Sequence, residues 1–295
     1  MDALPSRRRV LILGATGMLG HRLWSHCAER FEATATVRQD SIPAAAESIL
    51  DPQRTITGLG VGDPAGLDAT IRDSAPDVVV NCVGLVKQRP EAADPVALVA
   101  ANSLFPHQVE EACGRHGARL IQISTDCVFS GERGNYAESD RPDPADLYGR
   151  SKLAGEPEGE TTLTLRTSML GRELERASGL LEWVLSATGT ISGFPNAIFT
   201  GPTTPVLCRL IGDLIEADPG LHGTWHVGAA PIAKLELLRM IRDRFGLEIE
   251  IEPDPSVRID RSLDSSRLRE RVGWNPPEWE EMIAELAEEE SDAER

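Results

Sequence analysis

The chain is short of lysine, of paired cysteine, of positive charge and of long apolar runs. It has three lysines, Lys87, Lys152 and Lys234, against 27 arginines. Its cysteines, Cys27, Cys82, Cys113, Cys127 and Cys208, are odd in number and include no C-x-x-C pair, which argues against a disulfide framework and a zinc site. His, Cys and carboxylates do not recur at ligand spacing, so no metal is expected. A reduced, cytoplasmic setting is the simplest expectation. The formal net charge of −17 argues against nucleic acid and anionic membrane as partners. No apolar run reaches the length a bilayer span needs. The run behind Arg7-Arg8-Arg9 stops at Leu13, too short for a signal-peptide core.

What is present is ordinary for a soluble globular chain: 295 residues, 41% hydrophobic and 26% charged, enough to bury a sizeable core. Val10 to Leu13 is a short apolar run of the kind found in buried parallel strands. It enters Gly14-Ala15-Thr16-Gly17-Met18-Leu19-Gly20 and then a helical stretch to about Arg30. Glycines spaced G-x-x-G-x-x-G between a first strand and a first helix suit a tight turn, close backbone approach to a pyrophosphate, and close helix–strand packing. Ala33 to Val37 reads as the second strand, and the residue after such a strand meets the adenosine ribose. That residue is Arg38, with Asp40 two further on, so NADPH is favoured and NADH is the alternative.

Asp63 is placed near the adenine, and Leu67 to Ser74 reads as a helix stopped by Pro76. Asp77 to Gly84 reads as a buried strand whose end, with Asn81, Val83 and Gly84, borders the cofactor. Val96 to Arg115 has helical spacing with Pro106 as a kink, and Asn102 within it could help hold Lys152 through water. Leu120 to Ile123 is a strand that delivers Ser124-Thr125-Asp126 at its carboxyl end, where open α/β sheets bind ligands. Thr161 to Arg166 is a further strand. Repeated β–α units give an α/β fold, a doubly wound parallel sheet.

Tyr148-Gly149-Arg150-Ser151-Lys152 reads as the start of a helix. Tyr148 and Lys152 share one face, with Cα atoms about 6 Å apart. A free tyrosine titrates near 10, and a nearby ammonium lowers that value. Such a tyrosine can exchange a proton with an oxygen whose carbon exchanges a hydride with a nicotinamide.

After Arg166 the rhythm changes. Helices are expected over 179–187, 206–216, 233–245 and 279–289, and strands over 225–227 and 247–252. Residues 189–205 form a Gly/Pro/Thr-rich segment, and 291–295 are expected to fray. The expected division is residues 1–167 as a dinucleotide-binding domain, with a returning segment near 221–235, and 168–295 as a smaller substrate-binding lid.

The glycine turn, Ser124 through Gly131, and Tyr148 through Glu156 together resemble the extended short-chain dehydrogenase/reductases. Within them the chain is most similar to the dTDP-4-dehydrorhamnose reductase group of nucleotide-sugar reductases. Leu165 to Ser168, Gly223 to Gly228 and Arg261 to Arg267 carry the same resemblance. It implies a Rossmann-type domain with a smaller α/β C-terminal domain. It also implies a catalytic trio of Thr125, Tyr148 and Lys152, and reduction of the C4 keto group of a nucleotide-linked 4-keto-6-deoxy sugar for deoxysugar or polysaccharide biosynthesis. Thr125 would hydrogen-bond the keto oxygen, with Ser124 as the alternative hydroxyl. Tyr148 would protonate that oxygen, and Lys152 would hold the nicotinamide ribose.

Lys87, Asn196, Thr200 and Arg261 are candidate contacts to the nucleotide sugar, and a homodimer is a further expectation. The group commonly has tyrosine where Cys127 stands, and the loops at 85–88 and 196–204 depart from its pattern, which leaves nucleotide and sugar open. Two other readings stay beside the reductase: an epimerase that retains its cofactor, and a non-catalytic dinucleotide-binding regulatory subunit.

Overall fold

The computed structural model describes residues 7–88, 90–174, 179–217 and 220–293. The chain divides into two compact units. Met1–Ile123, Ala154–Thr164 and Cys208–Thr224 form the first; Ser124–Leu153, Leu165–Leu207 and Trp225–Arg295 form the second. The expected bounds were 1–167 with a return near 221–235, and 168–295; here Ser124–Leu153 groups with the second unit, and the return to the first is Cys208–Thr224.

In chain order the first strands and helices are β1 (Arg9–Leu13), α1 (Met18–Arg30), β2 (Glu32–Thr36), β3 (Thr55–Ile56), α2 (Pro64–Ser74) and β4 (Val78–Asn81). Then follow α3 (Pro95–Val99), α4 (Phe105–His116), β5 (Arg119–Ile123), α5 (Leu147–Ala154) and β6 (Thr162–Arg166). β1 pairs in parallel with β2 through Val10↔Ala33 and with β4 through Val10↔Val78. With β9 (given below) the strands form a seven-stranded sheet in the order β3-β2-β1-β4-β5-β6-β9. On one face of the sheet Leu11, Leu13, Val79 and Leu120 pack with Ile71 of α2 and Val109 of α4.

The helix expected over 96–115 is broken by a π turn at Ala100–Leu104. Pro106 has no N–H to offer the Asn102 carbonyl, so regular i→i−4 bonding cannot run through this stretch. The Asn102 side chain turns to the backbone of Leu85, accepting from its N–H at 2.8 Å and donating to its carbonyl at 2.9 Å.

The remaining elements are α6 (Leu180–Leu185), β7 (Gly189–Gly193), β8 (Asn196–Phe199), α7 (Thr204–Ala217), β9 (Gly223–His226), β10 (Ile232–Ala233) and α8 (Lys234–Phe245). β11 (Ile249–Pro253), β12 (Arg258–Asp260), α9 (Ser266–Val272) and α10 (Trp279–Ala293) complete the chain. In the second unit Leu181 of α6, Leu238 and Ile241 of α8, and Met282 and Ile283 of α10 share one core.

The segment read as Gly/Pro/Thr-rich holds two strands. β7 pairs in parallel with β11, and β8 lies between β10 and β12. The last helix runs through Ala293 rather than fraying from Ser291; residues 294–295 lie outside the described ones. Among the described residues no helix is long and apolar enough to cross a membrane.

Candidate active site

The three glycines after β1 do three different jobs. Gly14 has φ +80°, a conformation that disfavours any side chain. Gly20, on the first turn of α1, has no room for one: a Cβ there would overlap the Gly14 carbonyl oxygen and lie 3.0 Å from the Ala15 Cα. Gly17 is different. Its φ of −76° suits any residue, and a Cβ would meet only the Gly14 oxygen at an ordinary 3.5 Å. The fold does not require glycine at this position, which is the N-cap of α1. Close approach of a phosphate to a helix N-terminus would require it.

Thr16 and Met18 are half-buried beside it, while Leu19 is core. His21, one turn on, is buried and its Nδ1 lies 2.9 Å from the Gly17 carbonyl. Burial, with a lesser contribution from Arg22, holds its imidazole below the ordinary histidine range.

At the end of β2, Arg38 is exposed and makes no ion pair among the described residues. Asp63 is the N-cap of α2, its Oδ1 accepting from the Gly66 N–H at 2.8 Å. Asn81 is fully buried: its amide donates to Gln122 Oε1 at 2.8 Å, and its oxygen accepts from the Val83 N–H at 3.0 Å. Asn81 therefore shapes the turn that carries Val83 and Gly84. Lys87 is exposed on the loop beyond.

The second unit holds Thr125, Tyr148 and Lys152. Thr125 follows β5 and caps a short 3₁₀ turn, its Oγ1 accepting from the Cys127 N–H at 3.2 Å. Its hydroxyl donates to Asp126 Oδ1 at 3.3 Å and lies beside the Tyr148 phenol, whose ionised form it favours. Asp146 caps the start of α5 by accepting from the Gly149 N–H at 2.7 Å. One turn beyond Tyr148, Lys152 is buried on the same helix. Ser124 is buried too, its N–H donating to Leu165.

The ionisation of Tyr148 runs opposite to the sequence expectation. Burial pushes the phenol up from its ordinary value, nearby Cys127 acts the same way, and the Thr125 hydrogen bond pulls it back down. Desolvation of the phenolate outweighs the opposing hydrogen bond.

Asn196 is exposed at the start of β8. Thr200 is 2% exposed, and its polar atoms are used inside the protein: Oγ1 accepts from Leu263 N–H and the carbonyl from Ala229 N–H. Arg261 is half-buried, its Nε donating to the Phe129 carbonyl at 2.9 Å. Sequence reading gave no part to His21, Gln122 or Asp146. Only Asp146, a capping residue three before a helical glycine, carried a local signal.

A doubly wound sheet, an open glycine at the first helix, and a hydroxyl–tyrosine–lysine set on the strand and helix that follow define an extended short-chain dehydrogenase/reductase. More narrowly, the chain belongs to the RmlD substrate binding domain family, whose model matches residues 8–291. It is 29% identical over 290 residues to methionine adenosyltransferase 2 subunit beta of Bos taurus, covering 88% of this chain and 81% of that one. It is 34% identical over 153 residues to dTDP-4-dehydrorhamnose reductase of Mycobacterium tuberculosis, covering 50% and 44%. The fold matches the dTDP-4-dehydrorhamnose reductase of Bacillus anthracis, solved in complex with NADP, with a TM-score of 0.79 at 22% identity over 96% of this chain and 99% of that one.

Proposed function

We propose that the chain is an NADPH-dependent reductase of the C4 keto group of a nucleotide-linked 4-keto-6-deoxy sugar. The observation that carries this reading is the Thr125–Tyr148 hydrogen bond with Lys152 one turn along the same helix. Gly17 and the N-terminus of α1 hold the pyrophosphate, and Arg38 takes the 2′-phosphate; NADH is the alternative where that contact is not used. NADPH, when bound, supplies the hydride. Thr125 donates a hydrogen bond to the keto oxygen and fixes its position. Tyr148 gives that oxygen its proton as charge develops on it. A phenol whose burial disfavours the phenolate is kept protonated until that moment. Lys152 holds the nicotinamide ribose and offsets the phenolate left behind. Asp63, Asn81, Val83 and Gly84 border the cofactor, chiefly by shaping its loops. Ser124, Lys87, Asn196, Thr200 and Arg261 are proposed for the sugar side, with Thr200 acting only through the segments it ties together.

A second reading is a dinucleotide-binding subunit of another enzyme, favoured by the likeness to proteins named as beta subunits. One experiment separates the two. NADPH oxidation is followed by absorbance against dTDP-, UDP- and GDP-linked 4-keto-6-deoxyhexoses. Oxidation with one of them, lost in Tyr148→Phe while NADPH still binds, supports the reductase. NADPH binding with no oxidation of any of them would sink it in favour of the subunit or of an epimerase that retains its cofactor.

A further inference from the structure

Gly149, the residue after Tyr148, has no local reason to be glycine. It lies in the first turn of α5 and carries no positive φ. Glycine is a poorer helix former than alanine, so something else must favour it. The reason lies across the chain. A Cβ on Gly149 would overlap the Cys127 carbonyl oxygen, lie 3.1 Å from the carbonyl carbon behind it and 2.9 Å from the Pro144 Cβ. The oxygen belongs to the backbone of the turn whose first residue is Thr125, so it cannot swing away as a flexible side chain could. That turn is stiffened from within: Cys127 N–H donates to Thr125 Oγ1, and Phe129 N–H donates to the Asp126 carbonyl. The outer leg of the loop is clasped as well, with Asp143 N–H donating to Val128 and the Asp143 carboxylate accepting from Ser130. Helix α5 can therefore come no closer to Thr125 than its residue 149 permits.

We propose that Gly149 is a positioning residue: it lets α5 seat against the Cys127 carbonyl and so sets the distance between the Tyr148 phenol and the Thr125 hydroxyl. A Cβ at 149 moves the first turn of α5, and Tyr148 with it, away from the Thr125 turn, while residue 149 itself touches neither substrate nor cofactor. The inference rests on the reductase reading for its effect on turnover, but its geometry can be tested without turnover.

The experiment is a cycle of Gly149→Ala and Thr125→Val. Gly149→Ala alone lowers kcat about 100-fold, as a displacement on the order of 1 Å does, while KM for sugar and NADPH stays within about 3-fold. On the Thr125→Val background the same change costs little more, because the pairing it spoils is already gone. A full 100-fold loss on both backgrounds overturns the proposal, since Gly149 would then act independently of Thr125. Amide hydrogen exchange at Cys127 is measured alongside, because that N–H is held by Thr125 Oγ1. Faster exchange in Gly149→Ala is expected whether or not the chain reduces any sugar. Faster exchange in a chain with no reductase activity would keep the inference and sink the reductase reading. Unchanged exchange with unchanged kcat would overturn the inference itself. If Gly149→Ala does not fold, Pro144→Gly/Gly149→Ala removes one opposing atom, keeps the carbonyl clash, and is judged by the same two readouts against Pro144→Gly.

Discussion

Tyr148 and Arg38 can each be tested by a single substitution. Tyr148→Phe keeps the ring, the packing and the helix, and removes one oxygen. It should abolish NADPH-linked turnover and leave NADPH affinity within about 2-fold, because a ring of the same shape leaves the binding contacts alone. Retained turnover would show that another group supplies the proton. Arg38 is exposed and without an ion pair among the described residues, so its loss should not affect stability. Arg38→Ala should weaken NADPH by about 10-fold or more, the scale of one charge-assisted contact to phosphate, and leave NADH nearly unchanged. Equal weakening of both, read by fluorescence titration, would remove Arg38 from the 2′-phosphate.

The glycine turn into α1 separates two roles that share one residue type. Gly20→Ala forces a Cβ against the Gly14 backbone and should destabilise the chain by about 1–3 kcal/mol, as overpacking does. Gly17→Ala meets only an ordinary contact, so its urea midpoint should stay at the wild-type value while dinucleotide affinity falls. If Gly17→Ala lost stability and kept its affinity, the open face would not be where the pyrophosphate lies. Elements also differ in how readable they were. β1 and β4 are built on the apolar runs Val10–Leu13 and Val78–Val80 and read as buried strands from local composition alone. β7, Gly-Thr-Ile-Ser-Gly, does not: glycine and serine have low strand propensity and its residues are mostly exposed. It exists because β11 lies beside it, pairing Ile249 with Gly189.

Across the whole molecule, buried ionisable groups set the pH response. Burial pushes the thiols of Cys27 and Cys113 up from an ordinary 9.0 to about 12, and that of Cys208 upward as well. The folded state thus holds these protons more tightly than the unfolded state. Their contribution is full below pH 9 and is lost as the pH rises toward 12. The raised phenol of Tyr148 acts in the same sense. His21 acts at the other end: its lowered value means that stability falls as pH drops below 6.5. The urea midpoint should therefore decline on both sides, and Cys27→Ala with Cys113→Ala should flatten the alkaline limb. A midpoint that stays level from pH 9 upward would show that these thiols reach water in the folded chain.

Strands β1 and β4, the glycine turn, and the i, i+4 placement of Tyr148 and Lys152 were all written in the sequence. Each depends on contacts within about one helical turn or on an uninterrupted apolar run, so neighbouring residues are enough to define it. Other features depend on atoms far apart in the chain. Ser124–Leu153 groups with the second unit, and the return to the first is Cys208–Thr224. Asn102 serves Leu85, and Thr200 is tied to Leu263 and Ala229. Desolvation raises the phenol that spacing alone would lower. Gly149 answers to a carbonyl 22 residues earlier, at Cys127. Burial and close approach are properties of packed surfaces, and no pattern along one stretch records which surface will cover it.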